Sequence, residues 1–361
     1  MSWKDHLRES VWGLSVYRPF DYASAPADLV RLDANESPYP FEREDLEAFQ
    51  DEIAKLTFQR YPEVSGRPLR EALARRWNVE PDEVLVGNGS DEIIAILMTA
   101  FGGGRDGAPA AVLYPTPTFG EFEAIALAHG ARPLPVPLDG SFQLDELRLA
   151  ETIRRERPVL AFFASPNNPT GNRFDVGTME RLARQMDAVL VADEAYADFG
   201  GATMVPLVGK VPGLVVMRSL SKIGLAGMRL GALVAPSELL AEVDKVRLPY
   251  NVSAVTMALA CAALAHPERL DARIRRVADR RRDLETGLRQ IPGLTVFPSD
   301  ANFVLVRTPG DAKRVFDRLL ERGVLVRNLS RPGPLERCLR ITAGTPEENE
   351  TCLRALRAAL Q

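Results

Sequence analysis

Lys222 stands in a setting that suits covalent work on a carbonyl carbon. It follows an apolar run, residues 214–217, within VPGLVVMRSLSKIGLAGMRLG (211–231). A buried strand there delivers the amine to a pocket edge, with hydroxyls at Ser219 and Ser221 and a guanidinium at Arg229 beside it. Hydroxyls and an arginine on a glycine-permitted turn suit a phosphate. An amine among cations and away from bulk water sheds its proton readily, as a Schiff-base nucleophile must. Taken alone, the same residues read equally as a surface lysine after an edge strand.

Partners lie elsewhere in the chain. Asp193 ends an apolar run, where a carboxylate can hold a heteroaromatic nitrogen protonated, or simply cap a helix. Asn168 and Tyr196 can donate to a ring phenolate oxygen; turn chemistry and core packing explain them as well. Phe119 can stack on a ring face or belong to the core. The Gly89-Ser90-Asp91 turn opens a helix whose free N–H groups and dipole make an anion site, although an ordinary capped helix looks the same. A cationic heteroaromatic ring bearing a phosphate would use all of these groups together.

The elements that must position them alternate along the chain. Strands are expected at 84–87, 110–115, 132–138, from 159, from 188, at 214–217 and at 230–236, with helices between them at about 90–101, 120–129, 143–156 and 175–186. Strands that read as continuous apolar runs between helices predict a mostly parallel sheet covered on both faces. Function then gathers at the carboxyl ends of the strands, where Phe119, Asn168, Asp193, Tyr196 and Lys222 all fall. Upstream, helices are expected at 44–56 and 67–77. LDANESPYP (32–40) reads as an extended arm outside the core that packs on something else, a partner subunit included, or as a plain connector. From 253 to 290 the pattern is helical, and RIRRVADRRRD reads as the solvated face of a long helix. The remainder predicts a small α+β unit: strand 294–307, helix 311–322, strands 323–329 and 338–344, helix 346–360. The division expected is an N-terminal arm (1–44) joining the small domain, a large domain (45–265) and a small C-terminal domain (266–361).

Composition narrows the classes. A net charge of -4 leaves no basic footprint for nucleic acid. Three scattered cysteines, without a C-x-x-C pair, argue against disulfides or zinc and fit a reducing cytoplasm. With only three histidines, a Ser-His-Asp or His-metal enzyme is not expected. The start MSWKDHLRES lacks the apolar core of a signal peptide, and no run is apolar for the roughly 20 residues of a membrane span.

SPNNPTG, DEAYADF, SLSKIGLAGMRLG and LRITAGTPEENE together resemble the fold-type-I pyridoxal-phosphate aminotransferases. LDANESPY, RYPE, GNGSDEII and PTFGEF resemble more narrowly the histidinol-phosphate aminotransferases, over the chain from about residue 30 onward. The resemblance implies a homodimeric enzyme that uses pyridoxal 5'-phosphate and moves an amino group from histidinol phosphate to 2-oxoglutarate, giving glutamate. It implies Lys222 as the Schiff-base lysine and proton carrier, Asp193 on the pyridine nitrogen, and Asn168 and Tyr196 on the ring hydroxyl. It also implies Gly89, Ser90, Asp91, Ser219, Ser221 and Arg229 around the phosphate, with Phe119 on the ring face. Tyr61 of RYPE resembles a tyrosine that reaches the neighbouring subunit's cofactor phosphate. Arg340 of LRITAG resembles the arginine that binds the substrate's anionic group, and Arg327 and Asn35 resemble pocket residues.

Two departures stand out: phenylalanine at 119 where such proteins often carry tyrosine, and a loop from Lys222 to Arg229 one residue shorter than a common version. An aromatic-amino-acid aminotransferase and a threonine-phosphate decarboxylase share the same cofactor parts. A cofactor-binding regulator with an aminotransferase-like body would need a DNA-binding domain, for which residues 1–44 are too short and too acidic.

Overall fold

The computed structural model describes residues 2–16, 20–22, 26, 28–104 and 108–361; parts of the expected N-terminal arm lie outside that set. Seven strands form the larger sheet: β2 (Val84–Gly87), β3 (Ala111–Thr116), β4 (Arg132–Pro137), β5 (Leu160–Ala164), β6 (Val189–Asp193), β7 (Leu214–Ser219) and β8 (Gly231–Val234). Their order is β2-β8-β7-β6-β5-β3-β4, and β8 runs antiparallel to both of its neighbours while the other pairings are parallel. The apolar runs are continuous because both faces are covered. Val215 and Met217 of β7 enter the core on one face, and Leu214 and Val216 the core on the other. Helix Ser90–Phe101 buries Ile93, Ile94, Leu97 and Met98 against this sheet, as its spacing predicts.

A second sheet has the order β1-β11-β12-β10-β9, built from β1 (Val30–Leu32), β9 (Thr295–Val296), β10 (Phe303–Arg307), β11 (Val324–Asn328) and β12 (Cys338–Thr342). Helices Ala312–Glu321 and Pro346–Leu360 close over it, with Val315, Leu319, Cys352 and Leu356 in the shared core.

Three expectations are corrected. Within the segment expected as an extended arm (32–40), Leu32 is instead a core residue: it ends β1, which pairs in parallel with β11 of the same chain, and it is buried. The strand expected over 294–307 is interrupted, because the 299–301 segment turns away to meet Gly171, whose carbonyl accepts the Asp300 N–H. The basic run of helix Pro267–Arg289 is not wholly solvated. Arg273 is buried and ion-paired with the equally buried Asp45, while Arg276 and Arg282 face solvent.

Candidate active site

The carboxyl ends of β3, β5, β6 and β7 open into a cavity of about 720 Å³ that also reaches the N-terminal residues and the second sheet. Asp193 is the last residue of β6, and its buried carboxylate accepts the Ala195 N–H at 3.0 Å. Burial pushes this carboxyl up to about 7, with the nearby Asp91 and Glu194 adding to the rise. A dry carboxylate in that state asks for a cationic partner. Lys222 lies on the turn after β7, with its Nζ 5.9 Å from the centroid of the Tyr196 ring. Tyr196 presents its hydroxyl to Asn35 Nδ2, which donates at 2.9 Å, and its ring meets Phe303 edge-on. Phe119, after β3, packs edge-on against Phe122 and lines the cavity.

At one end of the cavity the chain makes an anion cradle. Ser90 starts a twelve-residue helix, so its first N–H groups have no intrahelical acceptor. Gly89 precedes it at φ +87°, and a Cβ there would lie 2.8 Å from the Arg229 guanidinium. A Cβ on Gly231 would meet the Gly89–Ser90 peptide at 2.5 Å, so β8 approaches this turn as only glycine allows. Ser219 and Ser221 are buried and line the cavity, and Arg229 reaches Asp91 at 3.2 Å. The short loop between Lys222 and Arg229 therefore still brings the arginine to this turn.

The opposite wall is built by the second sheet. Arg340 of β12 donates through Nη1 to Asn168 Oδ1 and through Nη2 to the Asp33 carbonyl, each at 2.6 Å. Arg327 of β11 stands directly across the strand pair from Arg340, and both line the cavity. Asn35, buried in a left-handed conformation at φ 55°, is held by Thr342 Oγ1 and by Asn302, whose Nδ2 donates to its carbonyl at 3.0 Å. The arm thus delivers Asn35 to the pocket because β1 is stitched to β11.

One expected residue lies elsewhere. Tyr61 is 80% exposed and stacks on Tyr250, with ring centroids 4.6 Å apart, outside the cavity of its own chain. Several lining residues escaped the sequence reading. Tyr22 donates to Asp33 Oδ2 at 2.7 Å beneath the Arg31 guanidinium, 3.7 Å from the ring centroid, and burial followed by Asp33 pushes its hydroxyl up to about 12. Tyr114 and Glu121 line the cavity beside Phe119, and burial, then Asp91, raises the Glu121 carboxyl. Glu121 lies within the PTFGEF motif; no spacing signal marks Tyr22, whose neighbours are weakly periodic.

Residues 27–356 match the family model described as aminotransferase class I and II. The chain is 40% identical over 356 residues to "Histidinol-phosphate aminotransferase 2" of Nitrosococcus oceani, covering 98% of this chain and 96% of the relative. It is 40% identical over 333 residues to the histidinol-phosphate aminotransferase of Aquifex aeolicus, covering 92% and 93%. The structure of histidinol-phosphate aminotransferase from Sinorhizobium meliloti in complex with pyridoxal-5'-phosphate superposes with a TM-score of 0.86 at 25% identity, covering 98% of this chain and 97% of that one. A match that runs through both sheets and every strand of the pocket settles the family: this chain belongs to the class I and II aminotransferases.

Proposed function

We propose that this chain is a pyridoxal 5'-phosphate enzyme that transfers the amino group of L-histidinol phosphate to 2-oxoglutarate, giving imidazole-acetol phosphate and glutamate, in histidine biosynthesis. The observation that carries the substrate reading is the Arg327–Arg340 pair, two guanidiniums on facing strands lining one cavity. Such a pair serves a phosphate in one half-reaction and a carboxylate in the other, since a guanidinium fork matches both. The near-full-length identity to histidinol-phosphate aminotransferases supports the same substrate.

The residues fit the cofactor. The Gly89–Ser90 turn, packed against Gly231, leaves backbone N–H groups for a phosphate, and Ser219, Ser221 and Arg229 converge on the same end. Asp193 is a buried carboxyl at the end of β6, which suits a protonated ring nitrogen. When bound, the cofactor supplies an electron sink for charge that develops at the substrate's Cα. Lys222 would hold the cofactor's carbonyl carbon through its amine, and the same amine would carry the proton to and from the substrate's Cα. Asp193 would keep the ring nitrogen protonated, and Asn168 and Tyr196 would donate toward the ring oxygen. Phe119, which lines the cavity, would cover a ring face. Arg340, with Arg327 and the Asn35 segment, grips the anionic end of the substrate and so orients its Cα toward Lys222.

The active unit in this reading is a homodimer, with Tyr61 given to the neighbouring subunit's phosphate cradle. Its support is the exposed apolar surface around Tyr61, where Phe58 is 67% and Leu248 71% exposed beside the Tyr61–Tyr250 stack. Incubating the loaded enzyme with 2-oxoglutarate and, in turn, histidinol phosphate, phenylalanine, tyrosine and threonine phosphate tests the function. Glutamate formed fastest with histidinol phosphate is the expected result. Carbon dioxide released from threonine phosphate without glutamate would overturn it.

A further inference from the structure

Behind the cavity, on the opposite face of the larger sheet, lies a buried ion pair that the reaction above does not touch. Glu194 follows Asp193 at the end of β6, and Arg218 precedes Ser219 at the end of β7. Successive side chains on a strand point to opposite faces, so Asp193 and Ser219 line the cavity while Glu194 and Arg218 do not. Arg218 Nη1 donates to Glu194 at 3.0 Å, with the two side chains 10% and 2% exposed. The Glu194 carboxylate also accepts the Thr203 hydroxyl at 2.7 Å and the Met204 N–H at 2.5 Å. The Glu194 N–H bonds the Met217 carbonyl at 2.8 Å, which locks the two strand ends together at this level.

Stability alone does not account for two dry charges, because a packed apolar pair of similar volume does as well or better. Their placement is specific: each is one residue from a group that lines the cavity, Glu194 next to Asp193 and Arg218 next to Ser219. We propose that Glu194 and Arg218 are a positioning pair, whose opposed charges balance the field at Asp193 and Lys222 and whose contact fixes the spacing of β6 and β7 there. This rests on the assignment of Asp193 and Lys222 to the cofactor. Asp91 and Lys222 are the other charged groups acting on Asp193, and Asp198, itself paired with Arg76, is the other acting on Glu194.

The test uses the cofactor-loaded enzyme and reads the pH midpoint of its bound cofactor's visible absorbance. Glu194→Gln leaves an unopposed positive charge and should lower the midpoint. Arg218→Met leaves an unopposed negative charge and should raise it, each by about half a pH unit or more at the effective dielectric of a protein interior. The Glu194→Gln/Arg218→Met double variant should return close to wild type. In the single variants kcat should fall about tenfold while KM for histidinol phosphate stays within about threefold, the signature of a group acting after binding. Should Arg218→Met fail to fold, Arg218→Gln keeps a hydrogen bond to Glu194 and carries the same expected rise, while Arg218→Lys, which keeps the charge, should stay at the wild-type midpoint. A loss of thermal stability with the midpoints unmoved, or moved in the same direction by both single variants, would overturn the proposal. Asp193→Asn is run beside them: an unchanged spectrum in that variant would fault the site assignment instead.

Discussion

In the chain alone, Asp193 is a dry carboxyl whose proton is held up to about pH 7, against about 3.9 for an aspartate in an unfolded chain. Between those values the folded protein binds a proton that the unfolded protein does not. The stability of the cofactor-free protein should therefore fall as pH rises from about 4 to about 7 and level off above that. Urea unfolding at several pH values reads this slope. Asp193→Asn should flatten it, and an undiminished slope in that variant would show that another group is responsible. Lys222 offers the complementary prediction. Lys222→Ala should lose the borohydride-reducible link between protein and cofactor, and nearly all turnover with it. A reducible link found at any other lysine would remove Lys222 from its role.

Elements decide how closely these residues approach one another. β8 lies against the Gly89–Ser90 turn at a distance that excludes a side chain at Gly231, where a Cβ would sit 2.5 Å from the backbone. Gly231→Ala should push the turn outward and weaken cofactor binding about tenfold or more, the effect of losing roughly one charge-assisted hydrogen bond. Equilibrium dialysis of the cofactor measures it, and wild-type affinity would contradict the cradle. Much of this level was legible in the sequence. VLVG, LAFFA and LVVM announce covered strands by being apolar throughout, and the pocket residues follow because parallel strands collect them at one end. The parts that were not legible depend on partners far away in the chain. Leu32 is a core residue only because Val30–Leu32 pairs with Val324–Val326, and Arg273 is buried only because Asp45 meets it. The break between β9 and β10 has the same origin, since the turn at 299–301 is held by Gly171. Tyr22 joins the pocket through a hydrogen bond to Asp33 that no local pattern foretells.

At the scale of the whole molecule, the site as proposed spans two subunits. Mixing inactive Lys222→Ala protein with Tyr61→Phe protein, followed by subunit exchange, should create heterodimers with one site lacking both residues and one site intact. Activity above that of either parent is the expected outcome. No recovery despite demonstrated exchange, with Tyr61→Phe itself impaired, would place Tyr61 in its own chain's function. Among the described residues no helix is long and apolar enough to cross a membrane.

The same scale joins the two sheets, because in the proposed reading Arg327 and Arg340 of the second sheet grip the substrate while Lys222, after β7 of the first, acts on its Cα, and all three line one cavity. The measurement that tests this most directly is kcat/KM for histidinol phosphate, glutamate and phenylalanine in wild type and in Arg340→Ala. Histidinol phosphate should exceed phenylalanine in wild type. Arg340→Ala should lower histidinol phosphate and glutamate together by about one to two powers of ten, the worth of a charge-assisted contact of roughly 1.5–3 kcal/mol. Phenylalanine as the better donor in wild type, or an Arg340→Ala variant that keeps full specificity for histidinol phosphate, would contradict it.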